Sequence, residues 1–446
     1  MNELSRRSFI AATAAGLAAT PHLFDRSQPG GTAVVPPAPA AGKSAFQPST
    51  LFLTWYRDPT TTMTVQWIGS AGETDNTTIY YRPKTINWSP SMAPVTGVAS
   101  TVQNNVWLQQ PTFTKPYPLS EFTVFRSELF GLIPGMDYDF RIGTQSPVYR
   151  FRTMPSKATN ALQFISGGDC GVNNHTVANN IQAARQDPMF AIVGGDLGYD
   201  NGKSVDTSIN FIKNYSKHMI GRNGRLIPLI ACLGNHEVDG GYGTSRVKAP
   251  FFYALFDGLY PDTGYSTLDF GDYLSIVLLD TGHTSKIDGD QTHWLEKTLK
   301  ARQDHPHVMV VNHVPAYPSA RGMEGTAKNP GTGEPNRKHW VPLFEKYRVP
   351  IILEHHDHTF KRTRPMLDGL MDDDGVVYLG DGSWGQIRPP QPAEKLRHLA
   401  LYSQEYHLTM HRIQGEDRYH LALDENGRVM DICHTGQRPD GLVPAS

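Results

Sequence analysis

A chain of 446 residues is long enough for two or three domains with at least one large core. Its 41 basic and 43 acidic side chains leave a formal net charge of -2, which excludes a general affinity for nucleic acid or an anionic membrane and points to a local site. Three cysteines, Cys170, Cys232 and Cys433, are too few and too scattered for a disulfide framework or a thiolate zinc cluster, so a metal here would be held by oxygen and nitrogen.

At the N-terminus, Ser5-Arg6-Arg7-Ser8-Phe9-Ile10 resembles a twin-arginine export signal. The Ala-rich run from Ala11 to Ala19 is only moderately apolar and too short to span a bilayer. The Pro/Ala-rich stretch Pro36-Pro37-Ala38-Pro39-Ala40 then reads as linker. Residues 1–45 are thus expected to be signal and linker, with the mature protein exported to a periplasmic or extracellular location and no stable transmembrane segment. The twin-arginine route carries folded proteins, often with a cofactor loaded, which suits a metalloprotein.

Residues 46–155 change to short runs separated by turn signals. Thr62-Met63-Thr64-Val65-Gln66-Trp67 alternates with period two, and Pro134-Gly135 breaks the chain before Tyr138-Asp139-Phe140-Arg141-Ile142. This pattern predicts a small antiparallel β-sandwich. Leu132-Ile133-Pro134-Gly135-Met136-Asp137-Tyr138 followed by Phe151-Arg152-Thr153 is similar to the late strands of fibronectin type III-like domains.

From residue 156 to 446 apolar strands alternate with helical segments, and each strand ends in a polar cluster. Leu162 to Ser166 runs into Gly167-Gly168-Asp169-Cys170-Gly171, and Phe190 to Val193 runs into Gly194-Gly195-Asp196-Leu197-Gly198-Tyr199. Pro228 to Leu233 ends in Gly234-Asn235-His236-Glu237, and Val308 to Val311 ends in Asn312-His313. In α/β architectures ligands gather at the carboxyl ends of strands, where loops converge on a rigid scaffold. Any one of these clusters would pass as a turn or a helix cap. Together with Leu353-Glu354-His355-His356-Asp357-His358 they supply hard oxygen and imidazole donors from several strand ends of one domain, which points to a metal site.

The order Asp169-Cys170-Gly171, Gly195-Asp196-Leu197-Gly198-Tyr199, Gly234-Asn235-His236-Glu237, Asn312-His313, His356-Asp357-His358 resembles the five motif blocks of the calcineurin-like metallophosphoesterases. The match is closest to the purple acid phosphatases, because Gly171 stands where most relatives place a histidine and Tyr199 follows Asp196 by three residues. The resemblance implies a fibronectin-like domain ahead of an α/β catalytic domain with two mixed β-sheets flanked by helices. It also implies that Asp169, Tyr199 and His358 hold Fe(III), that Asp196 bridges, and that Asn235, His313 and His356 complete a divalent site for zinc, manganese or iron. His236 would contact the phosphate and help its leaving group. The expected activity is hydrolysis of small-molecule phosphomonoesters by metal-bound hydroxide. The alternatives are a phosphodiesterase or nucleotidase on the same metals and, in a different class, a secreted non-catalytic binding protein. Oligomeric state is left open.

Two departures stand out. Family members commonly carry adjacent histidines shortly before a Met-Glu-Gly, but here Ala320-Arg321 precede Met323-Glu324-Gly325. Arg321 is a phosphate clamp by its fork of donors and a poor proton donor, so acid catalysis falls to His236, with His339 as a second candidate on the long Gly- and Pro-rich segment from Ala316 onward. In Leu353-Glu354-His355-His356-Asp357-His358 the family pattern Gly-His-x-His selects His356 and His358, two residues apart and on one side of an extended chain. His355 then takes the glycine position, and its side chain is expected to turn to solvent or against Glu354.

Overall fold

The computed structural model describes residues 32–34, 46–84, 106–158, 161–326 and 330–436. The expected export signal (5–10), the apolar run after it (11–19) and the linker core (36–40) lie outside the described residues. Within the expected linker, however, Thr32–Val34 is a strand that pairs antiparallel with Trp107–Gln110. Three consecutive β-compatible residues suffice to extend an open sheet edge.

The N-terminal part is two antiparallel sheets, as its alternating runs predict. One orders Thr32–Val34, Trp107–Gln110, Ile79–Pro83, Asp137–Ile142 and Tyr149–Arg152; the other orders Phe52–Thr54, Met63–Ser70, Phe122–Leu129 and Phe113–Pro116. Met63, Val65, Trp67, Tyr81 and Phe140 are fully buried in one apolar core. Alternation alone suggests that Thr64 and Gln66 face water, yet both are fully buried. Gln66 Nε2 donates to the Leu255 carbonyl at 3.1 Å, while its Oε1 accepts from Arg126 and Tyr56. The second face of that sheet is covered by the helix Pro250–Phe256, with Phe52 against Phe256 and Trp55 edge-on to Phe190 and Phe270. Asp257, just past that helix, pairs with Lys115 at 2.6 Å and Arg126 at 2.8 Å. The sandwich is welded to the C-terminal part through aromatic and charged contacts.

The C-terminal part has two mixed sheets. The first orders Leu229–Ala231, Ala191–Val193, Leu162–Gly167, His407–Gln414, Asp417–Asp424 and Val429–Thr435, parallel among its first three strands and antiparallel beyond. The second orders Ser266–Phe270, Leu274–Leu279, His307–Asn312, Ile351–Glu354, Val377–Asp381, Phe360–Thr363 and Leu399–Ser403, parallel through its centre. The parallel strands are buried throughout or nearly so, as expected for strands covered on both faces. The turn signal Asp424-Glu425-Asn426-Gly427 joins two of the C-terminal strands that extend the first sheet. Helices Asn174–Arg185, Val205–His218 and Asp290–Lys300 flank the sheets, the first two begun by Asn173 and Ser204 side chains that accept from the backbone three residues on. Among the described residues no helix is long and apolar enough to cross a membrane.

Candidate metal centre

The carboxyl ends of the parallel strands converge, and the seven expected ligands come together there. Tyr199 Oη lies 3.2 Å from Asp169 Oδ1 and 3.1 Å from His358 Nε2, and those two atoms are 3.0 Å apart. Alongside, His313 Nε2 stands 3.2 Å from both Asn235 Oδ1 and His356 Nδ1, and 3.3 Å from Asp196 Oδ2. Asp196 belongs to both ligating groups, one with Asp169 and His358, the other with His313 and His356. His236 sits at the mouth, its ring 4.3 Å from that of Tyr199 and its Nε2 4.0 Å from Asp196 Oδ2.

The backbone is bent to achieve this. Asp169, Asp196, His356 and His358 all have φ between 55° and 67°, in the left-handed region that costs a residue with a Cβ about 1 kcal/mol or more. The two histidines do not sit on a strand, which ends at Glu354. The expectation that a strand's two-residue period aims both the same way is therefore corrected. A tight turn with left-handed residues at 356 and 358 aims Nδ1 of one and Nε2 of the other at different groups.

The donor set fits two metal ions. Ligand atoms about 2.1 Å from one ion stand roughly 3.0 to 3.4 Å from each other, the spacing found in both groups. Asp196 Oδ2 is buried without a hydrogen-bond donor, a costly condition that a shared cation removes. Burial, together with neighbouring His313 and Arg321, pushes His356 well below the ordinary imidazole value, leaving it neutral as a ligand must be. Burial also opposes charge on His313, yet the Asp196 carboxylate raises it to about 9, so the local field favours positive charge at that point. Hard phenolate and carboxylate donors cluster in one group, whereas an amide oxygen and two imidazoles cluster in the other.

Arg321 is placed less freely than a substrate clamp. Its Nη1 donates to the His356 carbonyl and reaches Asp357 Oδ1 at 3.2 Å. His339 closes the short helix Glu334–His339 and belongs to neither ligating group. Three further residues at the site carry no motif signal. Asp357 turns its buried carboxylate to the loop at Ser319, Ala320 and Arg321 and accepts from all three backbone N–H groups, which anchors the start of the long Gly- and Pro-rich segment beside His356. Tyr242 Oη lies 3.3 Å from Asn235 Oδ1 and 3.4 Å from His356 Nε2. Arg388 Nε donates to His358 Nδ1 at 3.3 Å.

His355 departs most from expectation. It is neither in solvent nor against Glu354, but buried with 1% exposure and 2.7 Å from Asp381 Oδ1. Glu354 is already taken by Lys361 Nζ and the Ala316 N–H, both at 2.6 Å. Glycines at 168 and 194 leave the slot that the imidazole fills.

Comparison with known proteins agrees with this geometry. Residues 48–153 match the purple acid phosphatase N-terminal domain, and residues 168–360 match the calcineurin-like phosphoesterases. Purple acid phosphatase 21 of Arabidopsis thaliana is 23% identical over 67% of this chain and 68% of its own length. Human acid phosphatase type 7 is 23% identical over 72% of this chain and 75% of its own. The structure of the purple acid phosphatase PPD1 from yellow lupin seeds superposes with a TM-score of 0.68 at 15% identity, covering 89% of this chain and 77% of the lupin chain. These relatives imply a binuclear metal site at the two ligating groups.

Proposed function

The chain belongs to the purple acid phosphatases and is a hydrolase of phosphoric ester bonds; from that premise we propose that it is an exported phosphomonoesterase working on Fe(III) and a divalent ion. Asp169, Tyr199 and His358 would hold the ferric ion, Asn235, His313 and His356 a zinc, manganese or ferrous ion, with Asp196 between them. The observation that carries this reading is the pair of ligating groups that share Asp196. Two bound ions supply charge that neutralises phosphate oxygens and lowers the pKa of a water for in-line attack on phosphorus.

The protein's own residues do the rest. The rings of Tyr199 and His236 lie 4.3 Å apart at a tilt of 41°, so the phenol would help orient the imidazole while serving as a ligand. His236, with Nε2 4.0 Å from Asp196 Oδ2, would contact a phosphate oxygen and pass a proton to the leaving oxygen. Arg321, with Nη1 engaged at His356 and Asp357, holds a fixed positive charge beside the divalent group and attracts the dianionic ester.

Metal analysis of purified protein, combined with a panel of phosphomonoesters and diesters, tests the reading. Two metals per chain, one of them iron, and faster turnover of monoesters are expected; a preference for diesters or nucleotides would replace the phosphomonoesterase assignment. Export rests on Arg6 and Arg7, and exchanging both for lysine is expected to retain the protein in the cytoplasm of a bacterial host.

A further inference from the structure

His355 precedes the ligand His356 and reaches five strand ends at once. Its backbone N–H donates to the His313 carbonyl at 2.9 Å, and Nδ1 meets the Asn312 carbonyl at 2.9 Å. Nε2 lies 2.7 Å from Asp381 Oδ1, within ion-pair reach although off the line of a straight hydrogen bond. The ring also packs on two glycines: a Cβ at Gly194 would stand 1.9 Å from the imidazole, and one at Gly168 would stand 2.6 Å from it. Gly168 directly precedes Asp169, and Gly194 lies two residues before Asp196. Asp381 closes the circuit, since its carbonyl accepts from Gly168 N–H at 3.1 Å and its other carboxylate oxygen takes the Ser166 hydroxyl.

One imidazole therefore touches the chain segments that carry Asp169, Asp196, His313, His356 and His358, while belonging to neither ligating group. Nδ1 faces the Asn312 carbonyl and Nε2 faces Asp381 Oδ1, so both ring nitrogens turn toward protein oxygens. Truncating the ring would open a cavity beneath both groups and leave Asp381 Oδ1, on a fully buried side chain, without the imidazole beside it. Such changes behind metal ligands shift affinity because ligand atoms must hold their positions within a few tenths of an ångström.

We propose that His355 is a positioning residue of the metal centre, a wedge between Gly168, Gly194, Asn312 and Asp381 that sets the separation of the two metal seats. This rests on the ligand assignment under Proposed function, and the test keeps the two apart. Metal-free full-length protein is titrated with Zn²⁺ or Mn²⁺ by calorimetry, bound metal is counted, and the metal-free melting temperature is recorded. His355→Gly is expected to weaken divalent-ion affinity about 10- to 100-fold. Asp381→Asn should weaken it in the same direction, and His355→Gln, which keeps a donor toward Asp381, should recover most of the loss.

A lower melting temperature with parent-like affinity in the folded variants would mean a purely structural role and overturn the proposal. If His355→Gly does not fold, parent-like affinity in both His355→Gln and Asp381→Asn overturns it equally. Loss of metal in His355→Gly with full affinity in Asp381→Asn would make His355 a direct ligand, which also overturns it. His356→Ala serves as the control: parent affinity there would remove the ligand assignment itself, and this inference with it.

Discussion

Glu237 holds the Asp196 loop from behind: its Oε2 accepts the Asp196 N–H at 2.8 Å and the Gly234 N–H at 2.8 Å, and its Oε1 accepts the Leu197 N–H at 2.7 Å. One carboxylate so ties the strand end that carries Asp196 to the one that carries Asn235. Glu237→Ala is expected to leave three buried N–H groups without acceptors, at about 1 to 3 kcal/mol each before relaxation or water entry. Chemical denaturation should show a loss of several kcal/mol, and metal counting should show fewer than two ions per chain. A variant with parent stability and full metal content would contradict this role.

Asp196 is the sole carboxylate shared by the two groups. Asp196→Ala is expected to lower bound metal to one ion or none and to reduce kcat by a factor of about a thousand or more, the scale expected when charge stabilisation of the transition state is lost. Metal counting and a steady-state assay on one preparation check both outcomes.

Tyr199→Phe removes the phenol oxygen that lies near Asp169 Oδ1 and His358 Nε2 and keeps the ring against His236. The visible charge-transfer band of a tyrosinate-bound ferric ion should disappear while the fold persists. An unchanged visible spectrum would exclude Tyr199 as the coloured ligand.

Acid stability follows from buried histidines that belong to neither ligating group. Burial holds His407 and His411 at about 4, and burial with the Arg418 charge holds His307 at about 4. The ordinary imidazole value is near 6.5, so the unfolded chain binds these protons first. Their contribution is complete above about pH 6.5 and is lost progressively as pH falls toward 4. The melting temperature is therefore expected to drop across that window, and His411→Asn should make the drop shallower. A flat profile between pH 6.5 and 4 would show that these rings are not neutral in the folded protein.

Asp357, between His356 and His358, accepts from Ser319, Ala320 and Arg321. Asp357→Ala is expected to release the segment that begins at Ser319, raising KM for phosphate esters several-fold with a smaller change in bound metal. Limited proteolysis near residues 319–326 should become faster in the same variant.

Much of this protein was legible in its residues. Each metal block sits at the end of an apolar run, and the spacing Asp-x-x-Tyr, Asn-His, His and His-x-His names ligand types without any fold. The sandwich and the α/β part announce themselves by periods of two and by apolar runs followed by polar clusters. The burial of Gln66 was not legible, because alternation reports one covered face and says nothing of a helix from another part of the chain arriving on the other.

His355 marks the same boundary most sharply. Its neighbours along the chain, Glu354 and His356, are a buried ion-pair partner and a candidate ligand, and neither determines where an imidazole between them points. That direction is decided by Gly168 and Gly194, far back along the chain, whose missing side chains leave space, and by Asp381, whose carboxylate faces into it. Sequence determines which donors a chain owns and in what local order, since those follow from residue type and spacing. Only the tertiary structure decides which of them share a buried volume, because that depends on long-range packing, left-handed turns and the few places where a glycine lets two strand ends approach.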